Sequence, residues 1–173
     1  RLEPSPGSRS FKLRIWTDEG GRNVRVEHAQ AVLDNFEDGG PSRWPEPVVT
    51  RLVKAPPSDS AWAVDEIRLP VENPWQRKVR AAAIDFFSDG RAAVVTFDGD
   101  VWLVDGIDTD GKKLRWHRFA SGLHEPMSLR IRDDEIFVFT RSGIMRLHDL
   151  NGDGEADRYE NFCSLFAQTA ETR

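Results

Sequence analysis

The sequence repeats its own plan at an interval of 43–44 residues, and that repetition limits the folds open to it more than any other feature. Asp105 and Asp149 lie 44 residues apart, while Phe97 and Thr140, like Phe119 and Phe162, lie 43 apart. Between these anchors run short β-branched and aromatic stretches parted by turn residues, the pattern of strands and hairpins. The first copy reads Ala81–Phe87, a turn at Ser88–Gly90, Ala92–Phe97, a tight turn at Asp98–Gly99, Asp100–Val104 and, after a polar loop, Leu114–Phe119. The second copy reads Met127–Ile131, a turn at Arg132–Asp134, Glu135–Thr140, a turn at Arg141–Gly143, Ile144–Leu147 and Asp157–Phe162. Four strands recurring every ~40–50 residues is the period of β-propeller blades. The expectation is therefore an all-β chain holding the first blades of a β-propeller, in four-stranded antiparallel repeats of about 44 residues. An antiparallel sandwich with coincidental spacing is the competing fold. Propellers close with about 4–8 blades, so the rest of the ring is expected beyond Arg173.

A β-rich segment precedes the repeats, and ten prolines and thirteen glycines favour strands and turns over helices along the whole chain. Phe11–Trp16 alternates apolar and basic residues, Thr17–Gly21 is a turn, and Asn23–Val26 returns with the same alternation, which predicts a hairpin. Asn35–Pro47 reads as a loop around Trp44. Val48–Val53 and Ala61–Leu69 are further strand candidates, separated by the turn Ala55–Ser60, and Asn73-Pro74-Trp75 is a turn that fixes entry to the first blade. The expected organisation is a β-rich N-terminal segment over residues 1–75, a first blade over 76–121 and a second over 122–173.

Asp149–Glu160, with the sequence DLNGDGEADRYE, fits a calcium-loop template position by position. Asp149, Asn151, Asp153, Asp157 and Glu160 fall where side-chain oxygens are needed. Gly154 falls at the sharp turn, and Glu155 falls where a backbone carbonyl serves. Calcium is a hard cation that takes six to eight oxygens, and this spacing wraps oxygens around a point. A solvated acidic turn is the alternative. The flanks read as strands rather than helices, so the expected role is a structural staple between strands and not the opening of a helix pair. A weaker echo at Asp105–Gly111 lacks a distal carboxylate and reads as a polar loop.

Other chemistry is sparse. His124 beside Glu125 is the one pair read as a candidate for acid–base work, metal ligation or substrate contact, and no second histidine follows at zinc-protease spacing. His28, His117 and His148 read as structural. The six tryptophans can stack on sugars, but Trp75, Trp102 and Trp116 read first as core. Cys163 is the only cysteine, which excludes an internal disulfide and a cysteine zinc site. The formal charge of −5, with basic residues dispersed, gives no reason to expect nucleic acid as a partner. No apolar run reaches the ~20 residues of a membrane helix.

Several stretches together resemble one family: ENPW at Glu72–Trp75, DFFSDGRAAVVTFDGDVWLVDGID at Asp85–Asp108, RFASGLHEP at Arg118–Pro126 and RLHDLNGDGEADRYENF at Arg146–Phe162. They are similar to the large secreted β-propeller proteins of planctomycete and verrucomicrobial type. Those are described as membrane-bound dehydrogenases related to glucose/sorbosone dehydrogenases and are often joined to a haem-binding cytochrome c domain. GGPSRWPEPV at Gly39–Val48 resembles the segment before their propeller. The resemblance implies a periplasmic or secreted location and oxidation of a sugar or sugar alcohol with pyrroloquinoline quinone. It also implies electron transfer to a cytochrome c-type acceptor, with haem present only if a cytochrome domain lies outside this chain. Within that frame His124 is the residue nominated for catalysis. The alternatives are a non-catalytic propeller that binds carbohydrate or protein partners, and a β-sandwich adhesion module carrying a calcium loop.

Overall fold

A computed structural model describes residues 38–57, 59–107 and 113–165. The N-terminal hairpin expected around 11–26, His28, and most of the 105–111 echo lie outside the described residues. Ten strands lie among the described residues: β1 (Val48–Val53), β2 (Glu66–Ile67), β3 (Ala81–Phe86), β4 (Ala92–Thr96), β5 (Val101–Asp105), β6 (Lys113–Ala120), β7 (Ser128–Arg132), β8 (Glu135–Thr140), β9 (Gly143–His148) and β10 (Arg158–Cys163). The architecture is all-β, with antiparallel pairing throughout. Among the described residues no helix is long and apolar enough to cross a membrane.

The two sequence repeats form two sheets of the same plan. β3 to β6 pair in chain order, as do β7 to β10, and each set is an up-and-down meander. β1 pairs with the outer edge of β6 and β2 pairs with β1, so the first sheet has six strands in the order β2-β1-β6-β5-β4-β3. The pairing registers are equivalent: Val94 faces Trp102 as Val138 faces Met145, and Val104 faces Trp116 as Leu147 faces Tyr159. The tight turn between β4 and β5 depends on Gly99 at φ +92°, where a Cβ would meet the Leu123 carbonyl oxygen at 2.5 Å.

Each face of the first sheet is covered, which explains why β4 (AAVVT) and β5 (VWLVD) are apolar almost without alternation. One face packs on the second sheet: Ala93, Val95, Val101, Leu103 and Phe119 share a core with Leu129, Ile136, Val138 and Leu147. The opposite face carries Val94, Trp102, Val104 and Trp116 under Leu52, Val79 and the half-buried Trp75 and Leu69. The tryptophans read as core are thus core. By contrast, the strand expected over Ala61–Leu69 contracts to Glu66–Ile67. Its alternating apolar residues Trp62 and Val64 are 85% and 81% exposed, because no described strand lies beside them.

Polar contacts stitch the two meanders along their first strands. Asp85 on β3 accepts from the Ile131 amide of β7 at 3.0 Å and from Arg130 at 3.4 Å. Asp134 accepts from the Ser88 amide at 2.9 Å and the Ser88 hydroxyl at 2.7 Å. Farther out, the Ala156 amide donates to the Phe119 carbonyl at 2.8 Å, and Tyr159 and Ser121 exchange hydrogen bonds. The Ile131 amide, more than any other group, holds the Asp85 carboxyl below the usual carboxylate range, and the Ser88 amide does the same for Asp134.

A depressed native pKa stabilises the fold above the unfolded-state value of ~4, and that contribution is lost as pH falls through the native value. Denaturant unfolding measured from neutral pH down to acid should therefore show the seam weakening below about pH 4. The Asp85→Asn, Asp134→Asn double variant should be less stable at neutral pH and should have a flatter acid limb.

Candidate functional site

The loop between β9 and β10 is wound by its own side chains. Asp149 accepts from the Gly152 amide through Oδ1 at 2.7 Å and from the Gly154 amide through Oδ2 at 2.9 Å. Asn151 Oδ1 accepts from the Asp153 amide at 3.0 Å, and Asp153 Oδ1 from the Glu155 amide at 2.9 Å. These are Asx-type turns, in which a short polar side chain replaces a backbone turn partner. Asp157 closes the loop, accepting from the Leu150 amide at 2.9 Å.

A strap from far upstream lies across this loop. Gly40 donates its amide to Asp157 Oδ1 at 2.9 Å and accepts from the Asn151 amide side chain at 2.6 Å. Gly39 adopts φ +85°, and a Cβ there would meet the Asp157 carboxylate at 2.5 Å, so side chains are excluded on two grounds. Glu155 is buried, and its carboxylate takes the Arg43 amide at 2.6 Å, the Ser42 hydroxyl at 3.2 Å and the Arg43 guanidinium. The next residue, Trp44, stacks under Arg118 of β6 at 4.1 Å and under Arg43 at 4.4 Å.

Arg118 leads to a buried ion cluster that sequence reasoning missed. Asp100 is fully buried in the β4–β5 turn and is held by Arg118 at 2.9 Å and Arg77 at 2.8 Å. Arg77 also donates to the Asp98 carbonyl at 2.8 Å, and Arg118 donates to Ser121 at 2.7 Å. Asn73 orients Arg77, accepting from its amide at 2.9 Å and donating to its carbonyl at 2.8 Å. The sequence signal was the acidic pair flanking Gly99, which reads as an ordinary hairpin turn unless a buried counter-ion is known to face it.

The predicted site residues divide accordingly. Asp149, Asn151, Asp153 and Asp157 are brought onto one loop. Glu155 faces the strap with its side chain, which leaves its backbone carbonyl as the group to consider for a cation. Glu160 points elsewhere: its Oε2 lies 2.7 Å from His148 Nε2, and this hydrogen bond, with Arg146 nearby, holds the Glu160 carboxyl below its ordinary range. Among the described residues no group of three or more His, Cys, Asp or Glu donors is gathered for a metal ion. The oxygen-only donor set of Asp149, Asn151, Asp153 and Asp157 fits the chemistry of calcium, whereas Glu160 does not fit while His148 holds it.

His124 lies in the β6–β7 connection, at the same end as the β8–β9 turn. Its Nδ1 is 3.2 Å from the Ser142 hydroxyl, and its carbonyl accepts from the Arg141 amide at 2.9 Å. Glu125, at φ +46°, pairs with Arg141 at 2.6 Å. Arg141 holds the Glu125 carboxyl below the usual range. The pair His124–Ser142 has the chemistry of a proton relay or a hydroxyl-binding site. Cys163 is a half-buried free thiol on β10. No protein-family model, curated protein sequence or solved structure gives a significant match to this chain.

Two substitutions test this geometry. Asp100→Ala strands the buried Arg118 guanidinium and removes the main partner of the half-buried Arg77, and should cost about 3–5 kcal/mol in urea unfolding, the usual effect of breaking a buried pair. Glu155→Ala should release the strap, read as faster hydrogen exchange across Gly39–Trp44 with strand amides of β8 unchanged.

Proposed function

We propose that this chain forms the first blades of an exported, calcium-stabilised β-propeller that resembles quinone-dependent sugar or sugar-alcohol dehydrogenases. The observation that carries the propeller part is the equivalence of the two meanders, which meet along their first strands and pack sheet face to sheet face. Radial repetition of four-stranded sheets uses that kind of contact. The organisation into an N-terminal segment over 1–75 and blades over 76–121 and 122–173 belongs to the same reading.

Calcium is assigned to the β9–β10 loop, with Asp149, Asn151, Asp153 and Asp157 as side-chain donors and Glu155 through its carbonyl. Bound there, the cation would neutralise carboxylates that now rest on backbone amides and would stiffen the loop under the strap. The redox reading rests on the family resemblance: pyrroloquinoline quinone as cofactor, a sugar or sugar alcohol as substrate, a cytochrome c-type acceptor and a periplasmic or secreted location. In that reading His124, with Ser142 beside it, handles the substrate hydroxyl proton. A second reading, a non-catalytic propeller that binds carbohydrate or protein partners, draws support from Trp62, whose exposed indole offers a stacking surface.

Calcium added to chelator-treated protein should raise the thermal midpoint in a concentration-dependent way, as any ligand of the native state alone does, and Asp153→Ala should remove the shift. An unchanged midpoint in metal-free protein contradicts the calcium assignment. For the redox reading, protein carrying the complete ring should reduce a dye acceptor when given the quinone, calcium and a panel of sugars. Loss of that rate in His124→Asn, with the quinone still bound, identifies the residue, whereas absence of dye reduction with every sugar sinks the dehydrogenase assignment in favour of the binding reading.

A further inference from the structure

The face that Leu103 and Phe119 present to the second sheet continues outward over the start of β6, over β1 and over β2, where no residue joins the shared core. Strand register gives its occupants, because residues directly opposite one another on antiparallel strands share a face. Val49 lies opposite Arg115, and Arg51 opposite Lys113. Val53 lies opposite Glu66, and the Arg68 amide donates to the Arg51 carbonyl at 3.1 Å, which puts Arg68 across from Arg51. All of this surface is open: Val49 and Val53 are 57% and 42% exposed, and Arg51, Arg68, Lys113 and Arg115 are exposed as well.

Arg68, Arg51 and Lys113 therefore form one row across β2, β1 and β6, with Arg115 beside the row on β6. Neighbouring strands lie about 4.8 Å apart, so positive charges recur at roughly that spacing. The carboxylates on this face are already engaged. Glu66 pairs with Arg68 at 3.1 Å, and Asp105, opposite Arg115, lies 3.5 Å from His117 Nε2. Arg51, Lys113 and Arg115 are left without an ion pair among the described residues. Like charges directly opposite one another destabilise a sheet, so folding alone gives no reason for this row. The basic residues are dispersed in the sequence of a chain with net charge −5, yet β1–β6 pairing brings these three together. An anion lying across the row turns the repulsion into attraction.

We propose that this face binds an acidic polysaccharide, a polymer with a carboxylate or sulfate on successive sugars, laid across β2, β1 and β6. The proposal rests on the carbohydrate-binding reading for the class of partner, and it gives that reading a surface and a ligand charge. Two features favour a sugar polymer over a nucleic acid. The side chains between the charges are Val49 and Val53, which offer no aromatic face for base stacking. The positive charge is also confined to a short row on a chain of net charge −5, whereas nucleic-acid binding uses a broad basic surface.

The test is calorimetric titration of the full chain with polygalacturonate in calcium-free buffer, so that no cation bridges the polymer to the acidic β9–β10 loop. The fully methyl-esterified polymer, the same backbone without charge, is the control. Polygalacturonate should bind at low ionic strength and lose affinity as salt is added, and the ester should bind far more weakly. The double variant Arg51→Thr, Lys113→Thr should lose the binding. Its low-salt thermal midpoint should stay level or rise, because opposed like charges are removed. Arg132→Thr, Arg158→Thr takes the same charge from exposed positions on the second sheet and should keep the binding. A wild-type chain that does not bind overturns the proposal, as does binding that survives in the first double variant or falls equally in both. A lowered midpoint in the first double variant means that the row serves the fold, and equal affinity for single-stranded DNA assigns it to nucleic acid; either result also overturns the proposal. The carbohydrate-binding reading fails separately: it stands without the charged row if neutral oligosaccharides bind and Trp62→Ala removes that binding.

Discussion

A four-stranded sheet that is apolar on both faces cannot bury itself, and the architecture follows from that constraint. β4 and β5 of the first repeat are buried along nearly their whole length, on alternating sides, so each needs cover above and below. The second meander supplies one cover. The residues from Leu69 to Val79, with β1 and β2 at the outer edge, supply the other. Burial at about 25 cal/mol per Å² of apolar surface makes this sheet stacking the dominant favourable term. The carboxylates at the seam, Asp85 and Asp134, contribute register rather than bulk energy. Both lie at the surface, where water screens such contacts, but each points at a particular amide of the facing repeat.

The same logic explains why the functional features sit outside the strands. The strands are committed to packing, so charge and polarity collect in the connections. The β4–β5 turn holds Asp100 with its two arginines, the β6–β7 connection holds His124, and the β9–β10 loop holds the acidic cluster. The strap over Gly39–Trp44 joins two of these features. It seats Glu155 at one end and stacks Trp44 on Arg118, the partner of Asp100, at the other. A change in the loop is therefore mechanically close to the buried ion cluster, although the two lie on different sheets.

Much of the fold was legible in the sequence because its local signals agree with its global plan. The strands expected at Val48–Val53 and Glu135–Thr140 match the structure's bounds, and the other repeat strands differ by one residue at most at either end. Ala61–Leu69 failed for a physical reason: alternation marks a strand only where a neighbour exists to pair with it, and Trp62 and Val64 face solvent. The loop at Asp149 was legible as a turn of short acidic side chains. Its partners were not, because Gly40, Ser42 and Arg43 are more than 100 residues away in sequence and carry no periodic signal. Glu155 and Glu160 illustrate the limit. Their spacing suits a cation, yet Arg43 of the strap claims the first side chain and His148 claims the second. Spacing alone cannot reveal either competitor.

The central claim, that two equivalent repeats are locked face to face along their first strands, is tested most directly by amide hydrogen exchange at three positions. Ser88, Ile131 and Ala156 each donate an amide across the seam, to Asp134, Asp85 and the Phe119 carbonyl. Native-state exchange should find these three amides protected to nearly the same extent as the central amides of β4 and β8. Exchange at the unprotected rate for all three, with β4 and β8 still protected, would mean that the sheets fold without meeting, and would contradict the account.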